Sequence, residues 1–159
     1  MRKTLVACFS ATGTTAAVAR KLAGAAKADF YAIKPQIPYA AADLNWNDKR
    51  ARSTLEMHDS SSRPALADKN AHLENYDVVF LGFPIWWYVA PTLINTFLES
   101  YDCSGKTIII FATSGGSGFG KAVESLQPSA KGAVIREGRV FHAGTGEDEL
   151  AAWLKTLNL

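Results

Sequence analysis

Four hydroxyl side chains and one glycine crowd into Ser10-Ala11-Thr12-Gly13-Thr14-Thr15, directly after an apolar run at 4–9 and directly before an alanine-rich stretch at 16–26. Strand, tight turn and helix start follow one another here. A helix N-terminus leaves its first N–H groups unpaired and carries roughly half a positive charge, so it takes up an anionic group if the preceding chain wraps closely. Gly13 permits that wrap, and the hydroxyls of Ser10, Thr12, Thr14 and Thr15 add donors. The turn holds no Lys or Arg, so its grip on an anion is made of dipoles and hydrogen bonds. A phosphate group is the expected guest.

Two further stretches carry chemistry. Phe83-Pro84-Ile85-Trp86-Trp87-Tyr88-Val89-Ala90-Pro91 sets two tryptophans and a tyrosine in a proline-bracketed loop. A surface loop rarely carries so much apolar area without a partner, and the flat face of an aromatic ligand is one. The competing explanation is that the rings pack on a neighbouring helix or at a subunit interface. Thr113-Ser114-Gly115-Gly116-Ser117-Gly118-Phe119-Gly120 has few side chains, so its backbone N–H and C=O groups can approach the edge of a heterocycle; otherwise it is a flexible connector.

The elements that must position these loops are legible as short apolar runs alternating with helix-like segments. The runs fall at 5–9, 30–33, 78–82, 107–112, and weakly at 134–135 with 139–141. Helical spacing appears at 16–26, 91–101, 120–126 and 148–157, the last with Glu147, Asp148 and Glu149 near its start, where acidic side chains favour the dipole. Residues 43–57 read as a further helix with Leu44 and Leu55 inward, and 59–64 as a polar loop. Near-continuous apolar strands between helices predict an α/β fold, a three-layer α/β/α arrangement with a doubly wound five-stranded parallel sheet. At 159 residues and 48% hydrophobic content, one domain over 1–159 is expected. In such a sheet ligands bind beyond the carboxyl ends of the strands, and the three loops follow the first, third and fourth strands. They therefore share one sheet edge, and together they suit a phosphorylated planar heterocycle.

At this point the residues resemble a family. Ser10-Ala11-Thr12-Gly13-Thr14-Thr15 is similar to the phosphate loop of flavodoxins, and Gly82-Phe83-Pro84-Ile85-Trp86 resembles the loop carrying their flavin-stacking aromatic. The resemblance spans the chain and implies strand order 2-1-3-4-5 with flavin mononucleotide (FMN) at the switch point. It would give Ser10, Thr12, Gly13, Thr14 and Thr15 the 5'-phosphate, Trp86 the isoalloxazine or its ribityl side, and Ile85 and Trp87 backbone contacts, with Pro84 and Tyr88 in the same loop. Thr113, Ser114, Gly115, Gly116 and Gly118 would face the pyrimidine end of the ring. The implied function is electron transfer, as a one-electron shuttle to a redox partner protein or as a reductase working between NAD(P)H and a quinone. On this reading Thr12→Ala with Thr15→Ala should weaken flavin binding. The chain departs from the family in two ways: its isoelectric point is about 8.5 where flavodoxins are strongly acidic, and its third loop offers only Phe119, several residues late, to cover the outer flavin face. An open face would admit a small substrate.

Other classes are weakened by specific residues. A net charge of +2 with scattered basic residues gives nucleic-acid binding no support. Cys8 and Cys103 have no metal-type spacing and read as reduced thiols. His58, His72 and His142 are far apart and read as ordinary surface or loop residues. No apolar stretch reaches membrane-span length, the longest being 78–90 broken by Gly82 and Pro84, so the expected location is the cytoplasm. No pattern argues for an oligomeric state. Two alternatives to the redox reading stay open. One is a non-catalytic module that keeps flavin as a structural or sensing ligand, or uses Trp86, Trp87 and Tyr88 as a protein interface. The other is a phosphate-loop nucleotide-binding protein using Gly115-Gly116-Ser117-Gly118-Phe119-Gly120-Lys121, although Ala122 stands where a magnesium-binding Ser or Thr belongs.

Overall fold

Five parallel strands pair in the order β2-β1-β3-β4-β5 in the computed structural model, which describes residues 3–114, 118–157 and 159. They are β1 (Thr4–Cys8), β2 (Asp29–Ala32), β3 (Val78–Pro84), β4 (Thr107–Thr113) and β5 (Val134–Phe141). The order is the one implied by the resemblance. The helices are α1 (Thr14–Ala26), α2 (Arg52–Met57), α3 (Thr92–Glu99), α4 (Ala122–Leu126) and α5 (Glu147–Thr156).

Successive strand residues point to opposite faces, and the core divides accordingly. Leu5, Ala7, Val79, Leu81, Ile108 and Ile110 pack with Leu93, Ile94, Phe97 and Leu98 of α3 on one face. On the other, Val6, Cys8, Phe80, Ile109 and Phe111 meet Val18 and Leu22 of α1 and Leu150 and Trp153 of α5. Being covered on both sides is why β1, β3 and β4 are apolar throughout rather than alternating. Burial holds the Cys8 thiol un-ionised, its pKa pushed up to about 12, and burial also raises that of Cys103; both thiols are free.

Gly82 interrupts β3 for a packing reason. A Cβ there would come within 2.3 Å of the Phe111 ring, its partner in register on β4. β5 is continuous where the sequence suggested two fragments. Its pairing with β4 shifts register between Ile110 and Ala112, so the strand carries a bulge, and a Cβ on Gly138 would sit 2.3 Å from the Ile110 carbonyl oxygen. As an edge strand with a bulge, it alternates buried and exposed residues irregularly.

The expected helix at 43–57 is corrected to a 3-10 turn at Ala41–Leu44 and the short α2. Between them, Asn45 accepts from the Asn47 N–H at 3.1 Å and Asp48 from the Arg50 N–H at 2.9 Å. Such side-chain-to-backbone turns compete with helix, which explains the break. The wider stretch folds back on itself through the Gln36 N–H to Ala65 carbonyl bond (2.8 Å) and the Ala67 N–H to Lys34 carbonyl bond (2.8 Å). Among the described residues, no helix is long and apolar enough to cross a membrane.

Candidate functional site

The carboxyl ends of β1, β3 and β4 lie side by side. Cys8 is in register with Gly82 and Pro84 with Thr113, so the three loops leave the sheet at one edge. The Phe9 N–H still bonds to the Gly82 carbonyl at 3.0 Å, and the chain then turns away into α1.

That turn is built to leave donors open. Gly13 is the N-cap of α1 at φ 94°, a conformation glycine adopts without strain, and a Cβ placed on it would meet nothing within 4 Å. The first intrahelical bond is from the Ala17 N–H to the Gly13 carbonyl, so the N–H groups of the first turn have no helical acceptor. No side chain caps the helix, and no acidic residue stands in its first turn to offset the dipole. The Gly13 N–H donates to Ser10 Oγ at 3.0 Å, which braces the turn, while the Thr12 and Thr14 hydroxyls stand 3.4 Å apart. Thr15 is buried, and its Oγ1 shares a 2.7 Å hydrogen bond with Thr113 Oγ1. That bond ties the start of α1 to the end of β4.

The aromatic loop is a tight hairpin. The Trp86 N–H donates to the Val89 carbonyl at 3.0 Å and the Val89 N–H to the Trp86 carbonyl at 3.1 Å, with Trp87 (φ 49°) and Tyr88 (φ 64°) between them. Positive φ at both central residues is the primed turn that Asn-Gly favours, and bulky residues there cost of order 1 to 3 kcal/mol each. Replacing Trp87 with Asn and Tyr88 with Gly should therefore raise unfolding stability by about 1 to 2 kcal/mol after the lost ring contact of Trp87 is counted. Urea denaturation measures this, and a lower midpoint would contradict it.

The two tryptophans are held differently. Trp86 stands edge-on to Phe9 (centroids 5.7 Å, 89° between planes) and to Tyr39 (5.4 Å, 78°). Trp87 meets the His58 ring at 5.9 Å. Tyr88 is 67% exposed. The Ile85 N–H is taken by the Thr113 carbonyl at 3.2 Å, so it is already engaged within the fold.

The third loop is anchored to the second. Gly120, at φ 54°, lies so close to the aromatic turn that a Cβ on it would be 2.3 Å from the Tyr88 carbonyl oxygen, which also accepts from the Lys121 N–H at 3.3 Å. Gly115 and Gly116, like Ser117, lie outside the described residues; Ser114 donates its N–H to the Phe141 carbonyl at 3.4 Å, and Gly118 is exposed. Phe119 is buried in the core on the α3 side rather than turned toward the site. Of the phosphate-loop alternative only its end is described: the helix after Lys121 is five residues long, and Gly120 lies against Tyr88.

Three residues missed by the sequence reading border the site. Tyr39 donates its hydroxyl hydrogen to Glu56 Oε1, and burial followed by that bond raises the tyrosine pKa far above its ordinary value. Arg52 lies 3.9 Å over the Tyr39 ring and bonds Glu56. The spacing of Arg52 and Glu56, four apart, was visible but is common on any helix. Beside the phosphate turn, Phe9, Ser10, Ala11, Ile33 and Tyr39 line a mainly apolar cavity of about 380 Å³. A concavity of about 420 Å³ around Glu99, Cys103 and Lys131 lies near the opposite end of β4, away from the three loops. No group of metal-ligating side chains occurs among the described residues.

Comparison with known proteins bears on the family and the fold. A family model described as flavodoxin matches residues 3–157. A candidate flavoprotein from Bacteroides eggerthii is 47% identical, with a TM-score of 0.92 over 100% of this chain and 99% of that one. A flavoprotein from Lactobacillus acidophilus solved in complex with FMN has a TM-score of 0.69 over 97% of this chain and 99% of its own; at 21% identity it shows the shared fold. An FMN-dependent NADH:quinone oxidoreductase of Bacillus cereus is 32% identical over 82 residues, which is 50% of this chain and 38% of that relative's length.

Proposed function

The chain belongs to the flavodoxin family, and from that premise we propose that it binds FMN at the junction of the β1, β3 and β4 loops and exchanges electrons with small molecules, NAD(P)H as donor and a quinone as acceptor. The observation that carries the reading is the start of α1. An uncapped helix terminus behind a glycine at φ 94°, ringed by hydroxyls and without a cation, suits a phosphate monoester held by neutral donors. The residues present fit the group.

Thr12 and Thr14 would donate to the phosphate, with Ser10 holding the turn in shape. Trp86 and Trp87 would wall the ring, and Thr113, fixed by Thr15, would keep the third loop at its polar edge. When bound, the flavin supplies reversible redox chemistry in one- or two-electron steps. Phe119 is committed to the core, so the third loop's described aromatic does not roof the outer face. That favours exchange with a small planar molecule over transfer through a covered ring, and it supports the NADH:quinone activity borne by the Bacillus cereus relative's name.

Stopped-flow mixing of the FMN-loaded protein with NADH or NADPH under anaerobic conditions tests the donor. Bleaching of the blue absorbance within seconds, with recovery on adding a quinone, is the expected result. No bleaching by either nicotinamide, with rapid exchange only to a protein carrier, would make it a shuttle instead.

A further inference from the structure

We propose that Arg52, Glu56 and Tyr39 form a clamp whose task is to fix Trp86 for the ligand of this site; the proposal rests on the FMN reading above. Arg52 bonds through two of its three guanidinium nitrogens. Nη1 donates to the Ile37 carbonyl at 2.6 Å and more weakly to that of Pro38 at 3.4 Å, and Nε donates to Glu56 Oε2 at 3.1 Å. Its guanidinium plane covers the Tyr39 ring at 3.9 Å, and the Tyr39 hydroxyl closes the circuit on Glu56 Oε1.

The chain at 37–39 and helix α2 are thus joined around one aromatic ring. Both charged side chains are largely covered, 23% and 14% exposed, so this is a partly desolvated network rather than a lone surface pair. Tyr39 then meets Trp86 at 5.4 Å and 78°, and the fully buried Phe9 meets it at 5.7 Å and 89°. Two anchored rings, each perpendicular to the indole plane, determine how that plane is turned without either stacking flat upon it. None of the three clamp residues belongs to the phosphate turn or the aromatic loop. They are positioning residues that act through Trp86.

A structural role alone would tie α2 to the chain before it and affect ligand binding, if at all, regardless of residue 86. Double-mutant cycles separate the two. Arg52→Met keeps length and apolar cover while removing the donated bonds, and should weaken FMN binding about threefold to tenfold when Trp86 is present. In a Trp86→Ala background the same change should cost nothing. Arg52→Lys keeps the charge without the fork and should not restore affinity. Tyr39→Phe, which keeps the ring and removes only the bond to Glu56, gives a gentler second variant expected to act in the same direction. Equal losses in both backgrounds would overturn the clamp.

The near-ultraviolet circular dichroism of the flavin-free protein gives a reading independent of FMN. The band lost on Trp86→Ala should shrink in Arg52→Met. If the wild-type protein binds no FMN, the flavin reading falls and this band still decides: left at full size in Arg52→Met, it overturns the clamp.

Discussion

Thr12→Ala combined with Thr14→Ala should weaken FMN binding by about a hundredfold to ten-thousandfold, since each hydroxyl bonded to a charged group contributes about 1.5 to 3 kcal/mol. The same pair should leave stability within about 0.5 kcal/mol, because Thr12 is exposed and Thr14 only half-buried. Thr15→Ala behaves in the opposite way. Its hydroxyl is buried against Thr113 Oγ1 at 2.7 Å, and removing it strands the partner, at a cost of about 1 to 3 kcal/mol in stability. The pairing of Thr12 with Thr15 suggested by the sequence would therefore mix a binding effect with a folding effect. Flavin fluorescence titration beside thermal denaturation distinguishes them. Unchanged affinity in the Thr12, Thr14 double variant would remove both hydroxyls from the phosphate site.

Gly82→Ala should destabilise the protein by about 2 to 3 kcal/mol, the upper part of the range for overpacking. The added methyl would come within 2.3 Å of the Phe111 ring, between two central strands that cannot separate without breaking their ladder. At this chain length that corresponds to a fall of about 4 to 12 °C in the thermal midpoint. Phe111→Leu in the same background makes room and should recover part of the loss. If Gly82→Ala leaves the midpoint unchanged, the glycine answers to something other than the ring. The expected disturbance reaches the site, because Pro84 and Thr113 are the next in-register pair but one along the same ladder.

The frame of the site was readable because its signals are local. The phosphate turn combines a strand end, a glycine that needs positive φ and a helix start within a few residues, and apolar runs buried on both faces announce parallel strands. The supporting parts were not readable, each for its own reason. Trp87 and Tyr88 occupy a primed turn without the Asn or Gly that signals one, since the pairing of Trp86 with Val89 and the contact with Gly120 hold it closed. The helix expected at 43–57 gave way to Asn45 and Asp48, whose side chains cap local turns. Phe119, considered as a cover for the ring, was drawn into the core. Tyr39 carried no signal, and the four-apart spacing of Arg52 and Glu56 is too common to single them out; what joins the three is a fold of the chain between β2 and β3 with no periodicity to reveal it.

The clamp and the phosphate turn also divide the labour of the site. Hydroxyls and the α1 terminus answer to the charge of the ligand, whereas Trp86 and the residues behind it answer to the shape and orientation of its ring. A ligand with the ring but without the phosphate should lose the first set of interactions and keep the second.

Parallel titration of the flavin-free protein with FMN and with riboflavin tests that division at its root. FMN should bind saturably, seen as quenching of flavin fluorescence at one-to-one stoichiometry, and riboflavin should bind at least about a hundredfold more weakly, as expected when several charge-assisted hydrogen bonds to a phosphate are lost. Equal affinity for the two flavins, or none for FMN, would contradict it.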